Sequence, residues 1–382
     1  MSKKIIYLDY AAATPLESAV FHTMEPYMTD RFYNPSAPYQ PARDIRTDIE
    51  TARASVARLL GAKPTEIIFT AGATESINLA FSLDGHVITS EIEHLAILET
   101  AKQHEVSLLG VDENGRIRLE NLKNNIREDT VLISIGIVNN EIGVTQSLGE
   151  VVKIIEAVRA RRMKENNPTP LLLHSDASQG SGMIDLNVAR LGVDMLTLNG
   201  GKMYGPKQSG MLYVSSSVQL QPIIYGGGQE RNLRSGTENV AGIIGFAKAF
   251  EIAEKKRKDE PRRLYGLRQQ MIELLQEQFQ DMHILGHKKH QAPHILSVAW
   301  GGLDAERVLF ALESENILVA TGSACAANKD TRSHVLMALG LNHNIIDGSL
   351  RFSFGRATTS DEIAQAGKII SMIVKKELQR GK

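Results

Sequence analysis

Three residues of this sequence combine reactive chemistry with an unusual setting: Lys202, Asp176 and Cys325. Lys202 lies in LTLNGGKMYGPKQSG, after an apolar run, with glycines before it and a Gly-Pro turn behind. Most lysines are solvated surface groups. One at the end of a buried strand instead reaches into the crevice where α/β sheets bind ligands, and its amine, once partly desolvated, can form a Schiff base. Asp176 closes the apolar run of LLLHSDASQG and should emerge at the carboxyl end of a strand. A carboxylate buried there needs a partner. Cys325 is the single cysteine and sits among Gly, Ser and Ala in ILVATGSACAANKD. That context favours an exposed loop and a reactive thiol over core filler.

Other segments offer further groups. FTAGATESINLA reads as strand, turn and helix, and its Gly72, Ala73, Thr74 and Glu75 suit a turn that presents backbone N–H groups to a phosphate. Two readings of Asp176 stand side by side: a cap on the following helix, or a partner for a protonated pyridine nitrogen. The latter pairing makes pyridoxal 5'-phosphate (PLP) an electron sink. His94 in ITSEIEHLAIL follows a strand between acids, where an imidazole can stack on a ring, shuttle protons or serve structure alone. SLRFSFGR places Arg351 and Arg356 on or beside a short strand, as a carboxylate clamp or as a surface ion pair. HILGHKKHQAPH has no standard zinc spacing, and its histidines read as a solvated turn before the strand HILSVAW, so no metal site is expected.

The elements that must position these groups alternate. Between about residues 50 and 215, short apolar runs (EIIFT, HVITS, EVSLLG, VLISIGIV, LLLHSD, VDMLTLN, GMLYVS) alternate with helical patterns such as TDIETARASVARLLG, which stops at Gly61. Such a series builds a mostly parallel sheet covered on both faces. A long helical tract follows over roughly 240–280, broken near Pro261. HILSVAW, DAERVLFALES, ILVATGSAC, SLRFSFG and a final helix then suggest a smaller α/β unit. At 382 residues the chain exceeds what one core of ~250–300 residues covers. Its 43 basic and 44 acidic residues give a net charge of -1, which excludes a general attraction to nucleic acid or membrane surfaces. A lone cysteine excludes an internal disulfide and a multi-thiolate metal site. No run approaches a membrane span, and MSKKIIYLDYAAATP lacks the apolar stretch of a signal peptide, so a cytoplasmic location is expected.

The segments YLDYAAATP, AGATES, EHLAIL, VNNEIG, HSDASQG, GGKMYGPK, RSGTENV, GSAC and LRFSFGR, in that order, resemble the aminotransferase class V group of fold type I PLP enzymes. Within that group the chain resembles the group I cysteine desulfurases of the IscS/NifS kind. The resemblance implies an α/β fold with a large PLP-binding domain over residues 15–250, built on a mostly parallel seven-stranded sheet between helices. A smaller α/β domain, residues 1–14 with 251–382, would carry the cysteine loop. It implies that Lys202 is the Schiff-base lysine, that Asp176 meets the pyridine nitrogen and Gln179 the ring hydroxyl, and that His94 stacks on the ring with an acid–base role. Asn139 would lie near substrate and ring hydroxyl, while Ala73, Thr74 and Asn199 would serve the phosphate. Thr237 would reach the phosphate of a partner subunit in a homodimer. Arg351 would hold the carboxylate of L-cysteine, and Cys325 would take its sulfur as a persulfide, releasing L-alanine. The sulfur would pass to an acceptor protein, an iron–sulfur scaffold or a tRNA thiolase, with no direct nucleic-acid or membrane contact.

The chain also departs from the family pattern. Asn199, Gly200 and Gly201 stand where the family has Ser-Gly-His before its lysine. Tyr39, Gln40 and Arg43 follow the Asn-Pro-Ser segment in place of a histidine, and Gln229 stands in GGGQER where some members have histidine. A related class V activity, such as selenocysteine lyase, or a catalytically weakened homologue serving as a sulfur-transfer scaffold are the alternatives.

Overall fold

The computed structural model describes residues 4–321 and 332–380. Cys325 lies outside the described residues. Thirteen strands are found among them, in three sheets. The largest contains β2 (Ile67–Thr70), β3 (His86–Ser90), β4 (Val106–Leu109), β5 (Thr130–Ser134), β6 (Leu172–Asp176), β7 (Met195–Asn199) and β8 (Gly210–Val214). Its spatial order is β2-β8-β7-β6-β5-β3-β4, and only β8 runs against its neighbours. This is the mostly parallel seven-stranded sheet expected from the sequence. Strands β2, β3, β5 and β8 are buried along their whole length, as continuous apolar runs require when helices cover both faces. The helices Gln40–Leu60 and Val240–Lys256 share one apolar cluster with the sheet, and Ala73–Ala80 and Leu95–Ala101 share another with it. Gly61 ends the first of these helices in the left-handed conformation (φ +69°), as its sequence position predicts.

The run VLISIGIV leaves regular strand pairing at Ser134, earlier than the apolar pattern suggests. Ile135 and Ile137 still donate to the carbonyls of His174 and Asp176, but the intervening Gly136 N–H turns to the Glu93 carboxylate. A side chain has replaced a neighbouring strand as the acceptor.

A second group of elements has its own apolar cluster, with Trp300, Phe352 and Phe354 at its centre. Here β9 (His283–Leu285), β10 (Ile295–Ala299), β12 (Ala320–Thr321) and β13 (Ser349–Ser353) form an antiparallel sheet in the order β12-β13-β10-β9. The helices Glu260–Gln276, Ala305–Ser314 and Ser360–Arg380 contribute to the same cluster. Pro261 sits in the first turn of Glu260–Gln276, where its missing N–H costs nothing, and so separates that helix from Val240–Lys256. The N-terminal strand β1 (Ile6–Tyr7) pairs in parallel with β11 (Ile317–Leu318), and Asp9 then bridges to Ser353 of β13. Residues 6–12 therefore run from this second sheet toward the carboxyl ends of the large one.

Candidate active site

The carboxyl ends of β6 and β7 face a cavity of about 290 Å³, lined by Ala73, Thr74, His94, Asn139, Asp176, Gln179, Asn199, Lys202 and Arg351 among others. An adjoining cleft of about 720 Å³ shares Ala73, Thr74, Asn199 and Lys202 and extends past Gly201 and Lys207. Residues as far apart in sequence as Ala73 and Arg351 thus meet at one place, the crevice beyond the strand ends where open α/β sheets bind ligands.

Lys202 ends a single 3-10 turn, Gly200–Lys202, that directly continues β7. Its Nζ donates to the carbonyls of Ala11 at 2.9 Å and Ala12 at 2.6 Å, both in the N-terminal segment. Asn199 caps this turn by accepting the Gly201 N–H at 3.0 Å through Oδ1, which leaves its amide nitrogen as a donor toward the cavity. A Cβ at Gly201 would meet nothing nearer than Asn199 Oδ1 at 3.4 Å, so a Cβ fits at this position.

Asp176 is the last residue of β6. One carboxylate oxygen accepts the Ser178 N–H at 2.9 Å, fixing the turn that follows the strand. The helix-cap reading of this aspartate does not hold, because the next helix, Val188–Leu191, is capped by Asn187; the second carboxylate oxygen of Asp176 remains for a ligand. Gln179, in the same turn, donates to Ala11 O at 2.9 Å and faces His294 at 3.2 Å.

The phosphate-type turn is built as its sequence suggests. Gly72 precedes the helix Ala73–Ala80 with φ +143°, a conformation that favours glycine, and Gly210 of β8 packs so closely that a Cβ there would come within 2.6 Å of Gly72 Cα. The N–H groups of the first helical turn have no acceptor within the helix and can serve an anion. Glu75 holds the turn in place, accepting from Ala71 N at 3.0 Å and pairing with Arg234 at 2.8 Å.

His94 is the N-cap of Leu95–Ala101, its Nδ1 accepting the Ala96 N–H at 3.0 Å. Its proton is therefore on Nε2 when the ring is neutral. The ring is solvent-accessible yet enclosed enough by the cavity walls that desolvation lowers its pKa; Asp176 opposes this, while Lys202 and His334 reinforce it. Asn139 is more committed to local structure than the sequence implies. Its Oδ1 accepts the N–H groups of Glu141 and Ile142, and its amide donates to Ile92 O at 2.7 Å, so one amide hydrogen remains for a ligand.

Arg351 enters from β13, the second sheet, and is 5% exposed. Nη2 pairs with Asp9 at 2.6 Å and Nη1 donates to Asn140 O at 3.0 Å, while Nε is buried without a partner among the described residues. Each terminal nitrogen keeps one further N–H and the residue lines the cavity, so a guanidinium held in this way is prepared for a carboxylate. Arg356 is not part of the site: it stacks over Tyr204 at 4.1 Å and pairs with Glu17. Thr237 is exposed and does not line the cavity of its own chain.

Sequence reasoning missed four groups here. Asp9 orients Arg351. Glu93, next to His94, is buried, and desolvation pushes its carboxyl up to about 7 despite hydrogen bonds from Ser90 and Gly136. Glu141, beside Arg351 and bonded by Ser333, is pushed up to about 7 by the same cause. His294 corrects the reading of HILGHKKHQAPH as a solvated turn: it is 6% exposed and touches Gln179, because the segment dives under the cavity before β10 begins. The signal for Glu93 and Asp9 was their place inside EHLAIL and YLDYAAATP, whereas nothing in the spacing marks His294.

A model of the family "Aminotransferase class-V" matches residues 6–365. The cysteine desulfurase IscS of Dictyoglomus turgidum is 39% identical, covering 98% of this chain and 95% of that protein. The chain belongs to the class V aminotransferase family, in its IscS/NifS branch. Members of this branch are PLP-dependent, and other similarities agree with the assignment. A solved NifS-like protein superposes with a TM-score of 0.88 at 32% identity, covering 98% of this chain and all of that one (100%). A structure described as SspA in complex with cysteine superposes with a TM-score of 0.78 at 33% identity over 91% of this chain and 98% of that one. The residues present fit PLP: a lysine amine for its aldehyde, a carboxylate at a strand end for its ring nitrogen, a helix start for its phosphate and an unspent arginine donor for a substrate carboxylate.

Proposed function

We propose that this chain is a PLP-dependent cysteine desulfurase that converts L-cysteine to L-alanine and carries the sulfur away as a persulfide on Cys325. The observation that carries the proposal is the convergence of Lys202, Asp176, the Ala73–Ala80 helix start and Arg351 on one cavity. When bound there, PLP supplies the electron sink that makes the α-proton of an amino acid acidic. Lys202 would hold the cofactor, and its amine is the group that would take the α-proton. Asp176 keeps the ring nitrogen protonated, Gln179 and Asn139 offer amide donors to the ring oxygen, and the N–H groups of Ala73 and Thr74 with the Asn199 amide serve the phosphate. Arg351 orients the substrate carboxylate. His94, with its proton on Nε2, is placed to exchange a proton at the substrate side.

The Cys325 thiolate then attacks the substrate sulfur. A sulfur–sulfur bond forms, the carbon–sulfur bond breaks with its electron pair passing to carbon, and two protons complete alanine. The persulfide is delivered to an acceptor protein of iron–sulfur cluster assembly or tRNA thiolation. The exposure of Thr237 outside its own cavity supports a homodimer in which it serves the partner's phosphate site. The similarity to a structure holding cysteine supports the substrate. No helix among the described residues is long and apolar enough to cross a membrane.

The deciding experiment measures alanine and sulfide from L-cysteine with a reductant, using PLP-loaded protein and its Cys325→Ala variant. Equal amounts of alanine and sulfide from the parent, both nearly lost in the variant, are expected. Pyruvate as the product, or turnover that survives the substitution, would overturn the desulfurase reading.

A further inference from the structure

His294 is a buried histidine to which the reading above gives no task. It immediately precedes β10, and its own carbonyl accepts the Phe354 N–H at 2.9 Å, which anchors it to the second sheet. Its Nε2 lies 3.2 Å from Gln179 Oε1, and its Nδ1 has no partner among the described residues. Gln179 belongs to the turn after β6, so this contact joins the second sheet to the rim of the first.

The protonation pattern follows from Ala11. Its carbonyl can only accept, and it lies 2.9 Å from Gln179 Nε2 and 2.9 Å from Lys202 Nζ. The amide nitrogen of Gln179 must therefore face Ala11, which turns the amide oxygen toward the imidazole. His294 must then carry its proton on Nε2. The other tautomer would set a lone pair against the Gln179 oxygen and bury an unpartnered Nδ1–H, each a costly arrangement. Flipping the Gln179 amide is thus opposed at both ends. Of its two amide hydrogens one is taken by Ala11, and the other remains for the cavity that Gln179 lines.

We propose that His294 is a positioning residue that locks the Gln179 carboxamide so that the cavity always receives an N–H donor, suited to an anionic oxygen on the ring of a bound pyridoxal. This role rests on the PLP reading given above. Burial, helped by the charge of Arg351, holds the imidazole down at about 4, so it stays neutral through the working range and the lock does not titrate away. Without the imidazole, Gln179 Oε1 loses its donor and only the Ala11 carbonyl still opposes a flip of the carboxamide.

The test follows the visible absorbance of PLP-loaded protein against pH. A donor to the ring oxygen favours the deprotonated form of the lysine-bound chromophore. In His294→Leu and His294→Met, which lack a donor, the titration midpoint should rise by roughly 0.5–1 pH unit, the effect of one hydrogen bond. His294→Gln, whose amide can still donate to Gln179, should titrate like the parent. In a Gln179→Leu background the His294 substitutions should add no further shift. A parent-like midpoint in His294→Leu and His294→Met, or an equal shift in both backgrounds, overturns the role. A parent that forms no Lys202-dependent chromophore overturns the PLP reading itself, so the two failures are told apart.

Discussion

Lys202 and Asp176 stand at the carboxyl ends of neighbouring parallel strands, whereas Arg351 stands in the middle of an antiparallel one, and the two walls hold their groups by different means. On the first wall the backbone does the placing. β6 and β7 end, turns begin, and the side chains project wherever the strands stop. On the second wall placement depends on a side-chain pair, Arg351 with Asp9, and a second pair, Gln179 with His294, ties the two walls together. A wall set by topology should lose chemistry without losing stability when its functional residue is removed. A wall set by buried pairs should lose both together, because the abandoned partner stays behind.

The largest effect is expected at Lys202. Lys202→Ala should abolish the lysine-bound chromophore and lower turnover on the order of 10³-fold, with little change in thermal midpoint. A large loss of stability there would break the comparison. Arg351→Gln should reduce kcat/KM about a hundredfold, mostly through KM, if the guanidinium holds the substrate carboxylate as proposed. Asp9→Asn should cost about tenfold in kcat/KM and roughly 1–3 kcal/mol in urea unfolding, because Arg351 keeps its charge without its partner. An unchanged KM in Asp9→Asn would mean that Asn140 alone orients the guanidinium.

Glu93 sharpens the comparison, being a side-chain device on the first wall. Its carboxyl holds a proton in the folded chain up to about 7, against 4.5 as its ordinary value. The folded state thus binds more protons between those values, and stability falls as pH rises through them. Glu93→Gln should remove that fall, gaining on the order of 1–3 kcal/mol at pH 8 relative to the parent and nothing at pH 4. Chemical denaturation at the two pH values measures it. The smallest effect is expected at Gly201, where there is room for a Cβ: Gly201→Ala should shift stability by no more than about 0.5 kcal/mol in the same assay.

The two walls were unequally legible in the sequence. β6 and β7 announce themselves as apolar runs, and a lysine or aspartate directly after such a run is placed by the strand end alone. The phosphate-type turn is equally local, with strand, glycine and helix in a dozen residues. Arg351 could be assigned to a strand, yet only the fold distinguishes it from Arg356, five positions on, which points to Glu17 and Tyr204. Asp9 finds its arginine 342 positions away, and no periodicity encodes such a pair. His294 was misread because three other histidines around it suggest a solvated turn. The protonation of Glu93 depends on burial produced by distant elements, which composition does not reveal.

The hydrogen bond between Ala11 N and Ser353 Oγ, like the Asp9–Arg351 pair, joins residues 342 positions apart in the chain. On a ribosome adding about 5–20 residues each second, Ala11 would wait roughly 20–70 s for Ser353 to be made. The large sheet can condense during that interval with Lys202 already at its rim. The carbonyls of Ala11 and Ala12, which steady that lysine, take their final places only when β13 joins. A nascent chain stalled before β13 would have the lysine but not the chamber around it.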